Sequence, residues 1–535
     1  MSNDCITFQE SGYFTPIIID YLNEKSTLKP LYNRFPSIEN FENQIIEKSQ
    51  SYNDEAYSKR TVLVQTLENQ YQNITASDLT KQNITSLFND NTFTITTGHQ
   101  LNLFTGPMYF LYKIISTINL CSQLKAKYPN QNFVPIYWMA TEDHDFDEIN
   151  YFSFKGKKFR WNKETSGSVG RLSTDGLNEV FEIFSQELGS GNNANFIKKL
   201  FENSYLKHSN LADATRFLAN ELFGKYGLVI LDADNQNLKS VFIPYIKNEL
   251  LYQKSFAKVN ETIQKLQDYS IQVNPREINL FYILDNLRER IILENGIYKI
   301  NNSKIEFSEA EILEELSNFP ERFSPNVILR PLYQEIILPN LCYIGGGGEI
   351  AYWLELKSTF DLHEITFPFL LLRNSALIAN EKQVIKMAKL DLAWQDLFRK
   401  QNELLKLQTI KKSAFEIDFT SQKLHLQKQF DNLYETAIQT DKSFLGAVKA
   451  QEKKQIKGLE NLEKRLLKAQ KRVLAGDLER IINLQNELFP NKSLQERQAN
   501  FSEFYIENGE KLIEKLIIEL KPLENEFKVI QNLES

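Results

Sequence analysis

The stretch 93–113, FTITTGHQLNLFTGPMYFLYK, governs how the rest of the chain is read. Phe93, Ile95 and Thr97 alternate with Thr94 and Thr96, the period-two, β-branched pattern of a short strand. The run stops at Gly98, which lets the backbone turn sharply. His99 and Gln100 then stand at the carboxyl end of the strand, where open α/β sheets bind their ligands. Thr105 and Gly106 lead into Pro107, a residue suited to the first turn of a helix whose free N–H groups can face an anion. The expectation is strand, polar glycine turn and helix, with Gly98, His99, Gln100, Thr105 and Gly106 in a site. The spacing is not that of a GxxxxGK[ST] or GxGxxG phosphate loop.

Working outward, the run FVPIYWMA (133–140) has the continuous apolar character of a strand buried on both faces. It feeds into TEDHDFDEIN, where Glu142, Asp143, Asp145, Asp147 and Glu148 surround His144. Such a loop could hold Mg2+ or a substrate amine through its carboxylates, with His144 transferring protons. The competing reading is a solvated acidic turn that favours the next helix N-terminus. No paired histidines or EF-hand glycine accompany the acids, so no dedicated metal site is expected. YGLVILDAD adds a further buried strand, with Asp232 and Asp234 at its end as ligand contacts or caps. A third informative region opens with Arg330, Pro331, Gln334 and Glu335, which can present a cation and a carboxylate to a polar ligand. It continues as CYIGGGGEIAYW, again strand, glycine turn and helix. Gly345, Gly346 and Gly348 permit close backbone approach, Glu349 falls in the first helical turn, and Tyr352 and Trp353 follow along the helix.

The 535 residues suffice for roughly three or four domains. A net charge of -7 argues against a general nucleic-acid or anionic-membrane binder and favours small-molecule partners. Cys5, Cys121 and Cys342 lie far apart without CxxC spacing, which speaks against a disulfide framework or cysteine-based zinc site and for a reducing compartment. The start MSNDCITFQE lacks a signal-peptide apolar run, and no stretch of spanning length occurs, so the expected location is cytoplasmic.

Residues 1–90 read as mainly helical, with a polar helix near 54–70. The first half of an α/β core follows at 91–155, then an inserted excursion at 156–204 and a return to the core at 205–249. A small antiparallel α+β insert is expected at 250–325, where Ser308 and Glu311 form a capping-box signal for a helix over 309–318. The core resumes at 326–380. From 381 to 490 Lys, Glu, Gln and Leu dominate, and Leu459, Leu462, Leu466, Ala469 and Val473 follow three–four spacing, which predicts an antiparallel helical coiled coil. Residues 491–535 would return to the core, bringing Gln495, Glu496 and Arg497 with them.

The turn at 93–113 resembles that of nucleotidyltransferases and class I aminoacyl-tRNA synthetases, where a histidine near the helix start meets ATP phosphates. The full set of motifs is more specific. TGHQ with LFTGP, WMATEDHDFDEIN, LRPLYQE followed by LP, IGGGGEIAYW, the coiled coil and LQER resemble, in this order, the bacillithiol biosynthesis cysteine-adding enzymes. The resemblance covers nearly the whole chain. It implies a Rossmann-like core with a parallel sheet, connecting-peptide inserts, a C-terminal α-helical coiled-coil domain and a homodimer. It also implies a ligase that joins cysteine to glucosaminyl-malate. The sequence departs from many members at His99, where they carry Gln, and at Gly347, where they carry Pro.

Amide formation in water needs an activated acyl group, and ATP with Mg2+ is the natural source. On this reading the 98–107 and 345–348 turns flank one pocket with the acidic block between them. Glu142, Asp143 or Asp145 would hold an ammonium or Mg2+, and His144 or Glu349 would serve as base, with His99 a further catalytic candidate. Two other classes compete: a nucleotidyltransferase or synthetase-like enzyme for another amino acid or amino sugar, and a coiled-coil scaffold.

Overall fold

The structure is a computed structural model that describes residues 5–52 and 56–531. The start of the polar helix read from residue 54 lies outside the described residues, and the helix runs Ala56–Gln70. By its internal contacts the chain forms two compact units.

The larger unit is built on five parallel strands: β1 (Thr92–His99), β2 (Asn132–Met139), β3 (Val229–Asp232), β4 (Asn340–Gly345) and β5 (Phe369–Leu372). Across the sheet they run β3-β2-β1-β4-β5. That is the Rossmann order 3-2-1-4-5, and its direction of winding reverses between β1 and β4. β1 is fixed from both sides of its pleat. Phe93 and Ile95 enter an apolar cluster with Leu120, Cys342 and Phe369. The Thr94 and Thr96 hydroxyls donate to Asn340 Oδ1 at 3.2 and 2.9 Å, and the Thr97 hydroxyl donates to the Ile344 carbonyl at 2.7 Å. The threonines that make β1 look polar in sequence thus bond it to β4.

Three helices position the site: α1 (Tyr109–Lys127), α2 (Arg330–Ile337) and α3 (Gly347–Leu354). After β2 a hairpin (Tyr151–Phe154, Lys157–Arg160) and two helices pack Phe152, Phe184 and Phe201 around Phe104. Its segment at Val169–Arg171 lies so close to the end of β2 that a Cβ on Gly170 would come within 2.6 Å of the Thr141 Cβ. A second excursion holds five antiparallel strands, in spatial order Glu306–Phe307, Ile297–Ile300, Leu287–Glu294, Leu280–Leu284 and Phe323–Pro325. Its helix, Glu309–Asn318, opens with the Ser308–Glu311 capping box. From Ser493 the described chain belongs to this larger unit, where Glu526–Gln531 pairs antiparallel with Cys5–Thr7.

The smaller unit comprises essentially residues 379–492. Its helices Thr420–Ile438 and Lys442–Val473 form an antiparallel pair. Lys423 bridges Glu463 at 2.6 Å and the Tyr434 hydroxyl donates to Glu452 at 2.6 Å, so numbers fall along one helix as they rise along the other. Phe430, Ala437 and Val448 form the buried seam. The stripe read from the heptads lies elsewhere: Leu462 is 53% and Val473 76% exposed. The shorter helix starts at Thr420, just past the 423–463 pair, so Lys442–Val473 outruns it. Among the described residues no helix is long and apolar enough to cross a membrane.

Candidate active site

The carboxyl ends of β1 and β4 border a cavity of about 340 Å3, at the low end for small-ligand pockets. Gly98, His99 and Gln100 line it from β1 and its turn, Arg330 and Gln334 from α2, and Glu349, Tyr352 and Trp353 from α3. All eight were expected from sequence. Tyr109, Lys113, Trp138 and Tyr343 also line it; they fall within the stretches quoted above but were not singled out there as site residues. A larger groove, about 760 Å3, lies on the coiled-coil unit, but it is open and no cation or carboxylate lines it.

Glu349 is the carboxylate among the lining residues, and its environment is fully built. Its Oε1 accepts the Tyr343 hydroxyl at 2.7 Å and its Oε2 accepts the Gly346 N–H at 2.8 Å. The Lys113 ammonium bonds the same Oε2 and donates to the Gly98 carbonyl at 2.7 Å. One buried lysine therefore ties the end of β1 to the first turn of α3. Burial lowers the Lys113 pKa against the opposing pull of Glu349. A lone lysine in the otherwise apolar start of α1 was the available sequence signal. Gly98 is needed for the approach, since a Cβ there would lie 3.1 Å from the Tyr343 hydroxyl.

His99 is 8% exposed and lies between the rings of Tyr109 and Phe110. Burial, then the charges of Lys113 and Arg373, push its pKa well below the usual histidine value, so it is neutral at physiological pH. Its Nε2 is buried without a protein partner, as is the Trp353 Nε1. Two polar atoms of the cavity wall thus lack hydrogen bonds that a ligand can supply. Behind the turn, Arg373 pairs with Glu496 at 2.7 Å, and Gln495 bridges the N–H and carbonyl of Ile378 at 2.9 and 3.0 Å. Arg497 is exposed.

The acidic block is divided among tasks. Glu142 is buried against Lys239, whose ammonium also donates to the Phe323 carbonyl at 2.7 Å, so it anchors the second insert and does not line the cavity. Asp145 is exposed and precedes a four-residue helix without capping it. Asp143 does not line the cavity; it accepts the amide of Gln100, which does, at 3.2 Å, and the His144 backbone N–H at 2.8 Å. Burial alone would raise its pKa, but the hydrogen bond with His144 and the charges of Arg330 and Arg288 hold it well below the carboxylate range. The His144 Nδ1 lies 2.6 Å from Nη1 of Arg288, a group that only donates. Nδ1 is thus engaged by Arg288 and lies 3.7 Å from Asp143 Oδ1, and His144 does not line the cavity, so it is not placed as the base there.

Thr105 and Gly106 are buried away from the cavity lining. Phe104, Thr105 and Gly106 all have positive φ, and the Asn500 amide donates to the carbonyls of Phe104 and Gly106 at 2.7 and 2.6 Å. The Met108 N–H donates to the Ala499 carbonyl at 2.8 Å. The start of α1 is thus closed by the C-terminal segment. Gly345, Gly346 and Gly348 shape the second turn without lining the cavity.

A parallel sheet wound in this order, with a cavity at its switch point lined by aromatic and charged side chains, defines a Rossmann-like α/β protein. The chain belongs to the bacillithiol biosynthesis BshC family: residues 1–374 match its N-terminal Rossmann-like domain and residues 376–532 its C-terminal coiled-coil domain. A relative from Flavobacterium johnsoniae named "Putative cysteine ligase BshC" is 67% identical over 530 residues, covering 99% of this chain and 100% of that protein. Relatives of the same name from Flavobacterium psychrophilum and Bacillus cytotoxicus are 64% and 29% identical. They cover 99% and 85% of this chain and 100% and 88% of their own lengths. Among solved structures, a "putative arginyl t-RNA synthetase" from Campylobacter jejuni aligns at 9% identity with a TM-score of 0.21, over 83% of this chain and 98% of that one. A score of that size bears no weight on the fold.

Proposed function

We propose that this protein is a cysteine ligase that joins the carboxyl group of cysteine to the amine of glucosaminyl-malate, forming the amide of bacillithiol. The observation that carries the reading is Glu349, held by Lys113, Tyr343 and the Gly346 N–H in the switch-point cavity. As the C–N bond forms and the acyl leaving group departs, the attacking nitrogen must shed a proton, and Glu349 is the lining carboxylate placed to receive it. Neutral His99 and Trp353 offer the cavity unpartnered polar atoms that orient a substrate.

ATP with Mg2+ is the cosubstrate this chemistry calls for, because carboxylate and amine do not condense unaided in water. Arg330, which lines the cavity, is the group suited to its phosphate oxygens. In such sites Mg2+ is held largely by substrate phosphates. Among the described residues no three His, Cys, Asp or Glu side chains converge as a metal-ligand group. A cytoplasmic location fits a reaction that builds a thiol and the free, buried Cys121 and Cys342.

The test is mass spectrometry of products from ATP, cysteine and glucosaminyl-malate with purified protein. ATP-dependent formation of the cysteinyl amide is expected. Product from a different amino acid or amino sugar, and none from this pair, would transfer the function to the synthetase-like alternative.

The exposed stripe of Leu462 and Val473 favours a homodimer through the coiled coil. Leu462→Asp with Leu466→Asp is expected to sediment as a monomer, and an unchanged dimer would place the interface elsewhere.

A further inference from the structure

Gln334, on α2, lines the cavity and is 3% exposed. Its amide nitrogen donates to Glu335 Oε1 at 3.0 Å. The same oxygen accepts the Asn340 amide at 2.7 Å, and the Lys48 ammonium, from the helix Phe41–Ser51, donates to Oε2 at 3.2 Å. An ammonium only donates, so Glu335 beside it is an ionised carboxylate that only accepts. Asn340 is turned to match, because its Oδ1 takes the Thr94 and Thr96 hydroxyls of β1. The network therefore holds the Gln334 amide with its nitrogen towards Glu335. Its Oε1 is bonded by no described residue and is not sealed within the protein, which leaves it open to the cavity. Glu335, which the sequence offers as a carboxylate for a ligand, is 1% exposed, does not line the cavity and is spent on this network.

We propose that Gln334 receives a substrate ammonium group through Oε1, and that Lys48, Glu335 and Asn340 are positioning residues that keep its amide from flipping. A carbonyl oxygen accepts from N–H and O–H donors alike, but the surroundings favour a cation. Glu349 brings a negative charge to the same cavity, and the rings of Trp138, Tyr343 and Trp353 line it, as aromatic faces that attract positive charge. A flipped amide would offer N–H donors to the ligand and set its oxygen against the buried carboxylate, two acceptors with no proton between them. On the ligase reading, the amine that reacts is the one whose proton goes to Glu349. The group at Gln334 is then the α-ammonium of cysteine, which keeps its protons throughout. That choice of substrate rests on the ligase reading; the polarity of Gln334 does not.

Calorimetric titration of the full chain with L-cysteine, and with 3-mercaptopropionate, the same molecule without its ammonium group, tests this without turnover. The wild type is expected to bind cysteine roughly tenfold to a hundredfold more tightly, the range for a hydrogen bond to a charged group. Gln334→Met keeps the length but loses the acceptor, and the preference should fall by about tenfold. Lys48→Met with Glu335→Gln removes both buried charges together and frees the amide to turn, so the preference should fall there too; a purely structural pair would lower only the thermal midpoint. In turnover, Gln334→Met should raise the KM for cysteine and leave that for glucosaminyl-malate unchanged. Equal binding of the two probes by the wild type, or of neither at millimolar concentration with no other amino acid bound, overturns the proposal whether or not the variants fold. So does a preference kept in full by folded Gln334→Met. Ammonium-dependent binding of L-serine or L-alanine in place of cysteine would instead sink the ligase reading and leave the role of Gln334 standing.

Discussion

Glu349 and the block 142–148 both follow a strand of one sheet, yet they are used in opposite ways. Glu349 stands without another acid on its turn and faces the cavity with three donors around it. The block holds five acids, of which Glu142 is spent on Lys239, Asp145 faces solvent, and Glu148 accepts the Gln100 amide at 2.8 Å. The difference follows from strand order. Glu349 follows β4, which with β1 flanks the switch point, whereas the block follows β2, one strand further out. Position in the sheet, rather than density of charge, decides which carboxylate lines the cavity.

The strongest way to break this contrast is to remove the charge at Glu349. Glu349→Gln keeps the shape but cannot take a proton, and turnover is expected to fall by about 100- to 10,000-fold. Lys113→Met should also lower turnover, because it frees the carboxylate from its tie to β1. Both would be read as product formation alongside thermal midpoint. Turnover near wild type in Glu349→Gln would remove it from the chemistry.

In the block, the large effect should be on stability. Glu142→Gln leaves the Lys239 ammonium, fully buried, without its counter-charge. Breaking a buried pair in this way costs about 3–5 kcal/mol, which denaturant titration would register. The molecules that remain folded should turn over normally. Lost turnover at unchanged stability would place Glu142 in the site after all.

Glu355 sharpens the comparison, as a buried carboxylate held by the N–H groups of Gln272 and Val273 and, among the described residues, by no cation within ion-pair reach. Burial pushes its pKa up from 4.5 to about 7. The folded state therefore binds this proton more tightly than the unfolded chain does. The stability it contributes is full below about pH 4.5 and is lost as pH rises through about 7, by about 3 kcal/mol. Glu355→Gln should flatten that part of the stability–pH curve, and an unaltered slope would show that the carboxyl is not the titrating group.

The sequence announces the sheet's members better than their order. The alternation at Phe93–Thr97 and the apolar run at Phe133–Met139 mark β1 and β2, but the pairing of β1 with β4 rests on bonds such as Thr97 to Ile344, which no periodicity encodes. Strand-end residues were legible in the same way: Gly98, His99, Gln100 and Glu349 follow from where a strand stops. Lys113 and Tyr343 were not, because inside a helix and a strand they read as packing. Thr105 and Gly106 resembled an anion cradle, yet the helix start they precede is closed by Ala499 and Asn500, almost 400 positions away. Arg288 reaches His144 from another excursion, a meeting that only the tertiary fold creates.

The smallest expected effect is also the sharpest check on the contrast. Asp145 precedes the helix Phe146–Ile149, but its side chain makes no capping hydrogen bond there and is exposed. Its charge can contribute only a few tenths of a kcal/mol through the dipole of so short a helix. Asp145→Asn should therefore change stability by no more than about 0.5 kcal/mol and leave turnover as it is. The assay is the same product formation used for Glu349→Gln, so the two carboxylates are compared on one scale. If Asp145→Asn slowed turnover more than about tenfold at an unchanged midpoint, the block would have to meet the substrate in a closed state of the protein. Strand order alone would then no longer explain which carboxylate works.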